Sequence, residues 1–166
     1  YQTALAFTDL KGHETVADLY CGAGTISLLL AQKASQVIGI EIVPPAIEDA
    51  KENARANGIE NAQFHAAAAE ELLPKLVQQG LKPDVIMLDP PRKGCEEAVL
   101  EAICQCSPEK VVYISCDVAT QARDAKYLCA HGYKAVKCQS VDMFCLTGHI
   151  ENVLLFEKNT IRRIKP

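Results

Sequence analysis

From end to end the chain alternates short apolar runs with longer stretches of helical periodicity. The runs at 15–20, 35–42, 62–67, 84–89, 110–115 and 134–144 read as strands. Between them, "TISLLLAQKA", "PAIEDAKENARANG", "AEELLPKLVQQG", "CEEAVLEAICQC" and "TQARDAKYLCAHG" read as helices. In the second of these, Ile47, Ala50 and Ala54 recur at helical spacing and Gly58 supplies a stop. Few folds satisfy such an alternation, because parallel strands need crossovers and crossover helices end up covering both faces of a sheet. A seventh strand, "ENVLLFEK" at 151–158, follows the sixth without a helix, so it is expected to run antiparallel to its neighbour. The expected class is therefore α/β, a mostly parallel seven-stranded sheet with one antiparallel strand. In such folds ligands bind beyond the carboxyl ends of the strands, so that is where chemistry is to be sought.

The first strand runs into "DLYCGAGTISL" (18–28), where Gly22 and Gly24 allow a tight turn and close approach of a ligand before a helix N-terminus. Nineteen residues after Gly22, Glu41 closes the second strand, a place from which a carboxylate can accept hydrogen bonds from ribose hydroxyls. The pattern suits either NAD or S-adenosylmethionine. Ser27 stands where a dinucleotide fingerprint would have its third glycine, which favours the cofactor without a pyrophosphate. The fourth strand ends in "LDPPRKG" (88–94), a rigid extended turn after Asp89. The fifth ends at Cys116, within "VVYISCDVATQARDAKYL" (111–128), and the last motif is "DMFCLTGHIE" (142–151). A free cysteine at a strand end is either a small packed hydrophobe or a nucleophile.

With these four stretches in order over residues 12–158, the chain resembles the RNA uracil-5-methyltransferase family. The resemblance implies a Rossmann-like class I methyltransferase fold that uses S-adenosylmethionine, and an RNA substrate. It puts the nucleophile on Cys116 and the base on Glu151, and cofactor contacts on Tyr20, Thr25, Glu41 and Asp89 beside Gly22 and Gly24. Asp-Pro-Pro is familiar from methyltransferases acting on nucleobases; those that modify exocyclic amines usually follow it with an aromatic residue, and Arg92 here argues against that chemistry. Two departures from the family pattern are Val118 and Cys145, each where a proline is usual, which bears on loop rigidity more than on chemistry. His149 is expected to position rather than to act as a second base. Ribosomal RNA is the favoured substrate class over transfer RNA. Two other readings stay open at this stage: a methyltransferase of the same fold with a structural Cys116, and a non-enzymatic nucleotide-binding module.

The implied chemistry explains the residue types. Carbon 5 of uracil is a poor nucleophile until a thiolate adds to carbon 6, and a base must later remove the carbon-5 proton so that the thiol can leave. Free cysteine titrates near about 8.5, and the N-terminus of the helix after Cys116 is the kind of place that helps it ionise. Arg123 is a second candidate for positive potential there, or else a plain exposed arginine.

Composition sets the remaining limits. At 166 residues the chain is expected to be one domain, 1–166, and no run approaches the roughly 18 apolar residues of a membrane helix. The eight cysteines form no CxxC pair and have no histidine at zinc spacing, so reduced thiols, no metal site and a cytoplasmic setting are expected. With 17 basic against 21 acidic side chains, the domain alone is poorly suited to a polyanion; its clearest basic cluster is the terminal "RRIKP". "YQTALAFTDLKGHE" reads as the tail of a helix already under way, so upstream RNA-binding segments are expected, and a monomer.

Overall fold

The computed structural model of the protein describes residues 1–143 and 150–159. The sixth-strand motif residues Phe144, Cys145 and His149, and the terminal basic cluster, lie outside the described residues.

The elements run α1 (Gln2–Thr8), β1 (Thr15–Leu19), α2 (Thr25–Ala31), β2 (Gln36–Glu41), α3 (Pro44–Ala56), β3 (Ala62–Ala66), α4 (Ala69–Gln78), β4 (Val85–Leu88), α5 (Glu97–Cys106), β5 (Lys110–Ser115), α6 (Val118–Ala130), β6 (Tyr133–Val141) and β7 (Glu151–Lys158). The seven strands form one sheet in the order β3-β2-β1-β4-β5-β7-β6. β1 to β5 are parallel where they pair, and β7 runs antiparallel to both β5 and β6. The expected fold class is thus the observed one, including the single reversed strand.

Alternation along the strands sorts the core into two layers, because successive side chains point to opposite faces. Ala17, Leu19, Ile86, Leu88, Val111 and Tyr113 pack with Leu73, Val99, Ile103 and Leu128, residues of α4, α5 and α6. Val16, Val37, Val85, Met87, Val112 and Ile114 pack on the other face with Ala4, Ile26 and Leu30, from α1 and α2. α3 adds Ile47, Ala50 and Ala54 around Phe64. β4 is buried along its whole length, as a central parallel strand covered on both sides must be.

The strand order reverses between β1 and β4, which makes the crevice beyond their carboxyl ends the binding region of an open α/β sheet. Tyr20 and Asp89 are the residues that follow those two strands. Among the described residues no helix is long and apolar enough to cross a membrane.

Candidate active site

Two cavities open at this end of the sheet, and Asp89 lies in the wall of both. The smaller, about 370 Å³, is lined by Tyr20, Glu41, Ile42, Pro91 and Glu96 besides Asp89. The larger, about 520 Å³, is lined by Cys116, Glu151, Met143 and, from the start of the chain, Tyr1, Gln2 and Thr3.

The turn after β1 explains the first group. Tyr20 takes a positive φ of 65°, and the N–H groups of Tyr20 and Cys21 both reach the carbonyl of Ile40, at 2.8 and 3.1 Å. Gly22 follows with φ 53° and donates to Glu41 Oε2 at 3.2 Å, while Val43 donates to Glu41 Oε1 at 3.0 Å. Each carboxylate oxygen keeps a second lone pair, so Glu41 fastens the turn and can still accept from a ligand. Gly24, with φ 82°, caps α2. A side chain there would meet Ala50 and Phe64 at 3.0 and 3.2 Å, so this glycine lets α3 and β3 pack closely against the turn. Thr25 is exposed and lines a separate groove with Asn53 and Asn57, apart from the two cavities. Ser27, in place of a third glycine, donates its hydroxyl to Asp18 Oδ2 at 2.5 Å. Asp18 is wholly buried and its other oxygen has no hydrogen-bond partner among the described residues; burial above all, with Asp89 nearby, pushes its ionisation up to about 7.

Strand register explains the second group. Ser115 and Asn152 form the last pair of the β5–β7 ladder, so Cys116 and Glu151 are the residues next beyond it, and both line the larger cavity. Glu151 shares the face of Val153, on the α1 side, which directs both into the larger cavity. Cys116 is half-buried. Burial first and the charge of Glu151 second hold Asp89 up at about 6. The N-terminus of α6 is occupied by Asp117, whose Oδ1 accepts from Ala119 and Thr120 at 3.0 and 3.1 Å. The helix donors expected to assist Cys116 therefore go to this carboxylate. Val118 is 55% exposed and is not in the wall of the cavity.

The sequence reading missed how the Asp-Pro-Pro loop is held. Thr120 Oγ1 donates to the Arg92 carbonyl at 3.0 Å, and Arg123 Nη2 to the carbonyls of Lys93 and Cys95 at 3.0 and 3.2 Å. Asp124, fully buried, accepts from the Cys95 N–H at 2.8 Å and the Tyr113 hydroxyl at 2.7 Å, with the Arg123 guanidinium 2.7 Å away. Arg123 is thus paired with Asp124 and turned onto the loop, not presented as free positive potential at Cys116. Gly94, at φ 77°, permits the approach, since a side chain there would lie 2.6 Å from both Arg123 Nη2 and Asp124 Oδ2. The adjacent Arg-Asp in the sequence was the available signal, but nothing in its spacing pointed to residues 92–95.

The cysteines among the described residues are all free thiols. Burial pushes Cys95 and Cys21 up to about 12, which marks them as packed, un-ionised groups. No group of three or more His, Cys, Asp or Glu side chains among the described residues could hold a metal ion.

A protein of Clostridium tetani named an uncharacterized RNA methyltransferase is 54% identical over 155 residues, 93% of this chain and 34% of that protein. A Halalkalibacterium halodurans protein of the same description is 54% identical over 157 residues, 95% of this chain and 34% of its own length. The chain thus spans about a third of the length of the curated relatives it matches. Among solved structures, the Pyrococcus abyssi tRNA (uracil-54, C5)-methyltransferase in complex with S-adenosyl-L-homocysteine is 30% identical, with a TM-score of 0.78 over 91% of this chain and 36% of that one. A Streptococcus thermophilus rRNA methylase, at 15% identity, shares the fold with a TM-score of 0.75 over 95% of each chain. A family model described as tRNA (Uracil-5-)-methyltransferase matches residues 4–159, and the chain belongs to that family.

Proposed function

We propose that this chain is the catalytic part of an RNA methyltransferase that moves a methyl group from S-adenosylmethionine to carbon 5 of a uridine, with Cys116 as nucleophile and Glu151 as base. The observation that carries the reading is the shared wall: Cys116 and Glu151 face one cavity, and Asp89 joins it to the cavity of Tyr20 and Glu41.

The smaller cavity fits an adenosyl group. Ile42, 62% exposed beside Glu41, offers an aliphatic surface for a purine next to a carboxylate that accepts from ribose hydroxyls. When bound, S-adenosylmethionine supplies an electrophilic methyl group on a positive sulfur. Asp89, between the two cavities, is the carboxylate available to that charge; Tyr20, Gly22 and Gly24 shape the turn, and Thr25 supports the site only from outside the cavities.

In the larger cavity Cys116 Sγ bonds to carbon 6 of the ring, and the electron pair of the carbon 5–carbon 6 double bond becomes nucleophilic at carbon 5. The bound cofactor would supply the methyl group to carbon 5 and keep the electron pair of the broken carbon–sulfur bond. Glu151 then removes the proton at carbon 5, the double bond re-forms, and Cys116 departs as thiolate. Thiol chemistry of this kind suits a cytoplasmic setting, where cysteines stay reduced.

The proposal extends to a longer protein in which other segments hold the RNA, since phosphate contacts supply most of such affinity and this chain carries a net charge of −4. The sequence favours ribosomal RNA, whereas the Pyrococcus abyssi neighbour is named for transfer RNA, so both are assayed.

The test uses RNA containing 5-fluorouridine, which has no removable proton at carbon 5. With full-length protein and S-adenosylmethionine, a covalent complex stable on denaturing gels should form and map to Cys116, and Cys116→Ala should give none. A Cys116→Ala protein that still makes 5-methyluridine would overturn the reading.

A further inference from the structure

A helix packed on a sheet normally buries an apolar stripe. α6 instead buries Gln121, Asp124 and Leu128, two polar residues out of three. Asp124 is accounted for by the loop it holds. Gln121, 1% exposed, is spent elsewhere. Its Nε2 donates to the carbonyl of Tyr113 at 2.9 Å and to that of Asn152 at 3.2 Å, and its Oε1 accepts from Asn152 Nδ2 at 2.6 Å. Asn152 in turn accepts from Ser140 Oγ at 2.9 Å and Cys138 Sγ at 3.4 Å, so both amides are satisfied.

The placement matters because of the neighbours. Gln121 lies five residues after Cys116 on the helix that follows it, and Asn152 is the residue after Glu151. Asn152 points to the α6 face of the sheet while Glu151 points to the other, into the cavity. A pair of buried amides therefore ties the segment carrying the nucleophile to the strand carrying the base. Buried polar groups with complete hydrogen bonding fix one arrangement where apolar packing tolerates several.

Building on the function proposed above, we infer that Gln121 is a positioning residue that sets, through Asn152, the separation of Cys116 and Glu151 and with it the rate of proton removal from the cysteine–uracil adduct. Formation of the adduct needs Cys116 alone, whereas its breakdown needs both groups on one ring. The two steps should respond differently to loss of the amide pair.

The experiment compares full-length wild type, Gln121→Met and Glu151→Gln on uridine-containing RNA with S-adenosylmethionine. Adduct formation and release are followed on denaturing gels, and cofactor affinity by calorimetry. Gln121→Met should form adduct within about threefold of the wild-type rate yet release it about tenfold more slowly, a modest misplacement effect, with cofactor affinity unchanged. Adduct should then accumulate as in Glu151→Gln. The double variant Gln121→Met/Asn152→Leu, which removes both amides together so that neither is left without the other, is read in the same way if the single variant does not fold. If Glu151→Gln accumulates adduct but the Gln121 variants slow both steps equally, or neither, the inference is overturned while the reaction stands. If Glu151→Gln accumulates none, the assignment of the base falls and the inference falls with it.

Discussion

Asp89 and Glu151 look into the same cavity, where burial and then the charge of Glu151 make Asp89 harder to ionise. Burial and Glu151 hold Asp89 up at about 6, so it is largely neutral at pH 5 and charged at pH 7.5. Two like charges in one partly dry space would be a poor arrangement unless a cation came between them or beside them. A sulfonium or an ammonium group is such a cation.

Cofactor affinity should accordingly strengthen as pH rises through about 6, as Asp89 gains the charge that attracts the ligand. In Asp89→Asn the dependence over that range should be flat. Calorimetric titration from pH 5 to 8 checks this; a slope surviving in the variant would assign the titration to another group.

Glu41→Ala removes the acceptor for Gly22 and Val43 and the one facing the smaller cavity. The loss of a charge-assisted hydrogen bond to ligand should weaken cofactor binding by about 1.5–3 kcal/mol. Unchanged affinity in calorimetry would remove Glu41 from the binding residues.

Asp18 predicts a pH dependence of stability. Its folded-state ionisation, raised to about 7, lies above that of an unfolded carboxylate, so the native state holds a proton that the unfolded state has released. The contribution is present at low pH and is lost as pH rises from the ordinary carboxylate range to about 7. Denaturant unfolding at pH 5 and pH 8 should show wild type losing stability over this interval by more than Asp18→Asn does.

Gly94→Ala should destabilise by roughly 1–3 kcal/mol, the usual effect of forcing a methyl group into filled space, with positive-φ strain in addition. The added carbon would press on Arg123 and Asp124, where Thr120 is also close. Thermal unfolding measures the loss. A neutral result would mean that the loop between Asp89 and Cys95 shifts freely, and that its anchoring to α6 is slack.

Much of this molecule was legible in one dimension. Strand and helix periods differ, so the alternation of apolar runs specified an α/β sheet, and the missing crossover before 151 specified the reversed β7. Strand ends were the sites to inspect, and Tyr20, Glu41, Asp89, Cys116 and Glu151 do gather there. Thr25 does not, because the helix it opens turns its first residue outward into a different groove. Gly24 has a packing reason that one dimension did not show, since Ala50 of α3 and Phe64 of β3 lie against it.

What the tertiary structure alone decided is how distant segments restrain one another. Periodicity reports which face of an element is buried, and says nothing about which polar partner waits on the other side. Nothing in the helical period of α6 marks Gln121 and Asp124 as interior, yet they are buried because Asn152, Tyr113 and the backbone of Cys95 satisfy them. A polar side chain can be buried only where its hydrogen bonds are met, and those partners lie up to 31 residues away in the chain. The chain's own order determined the fold; the pairing of β5 with β7 decided that Cys116 and Glu151 line one cavity.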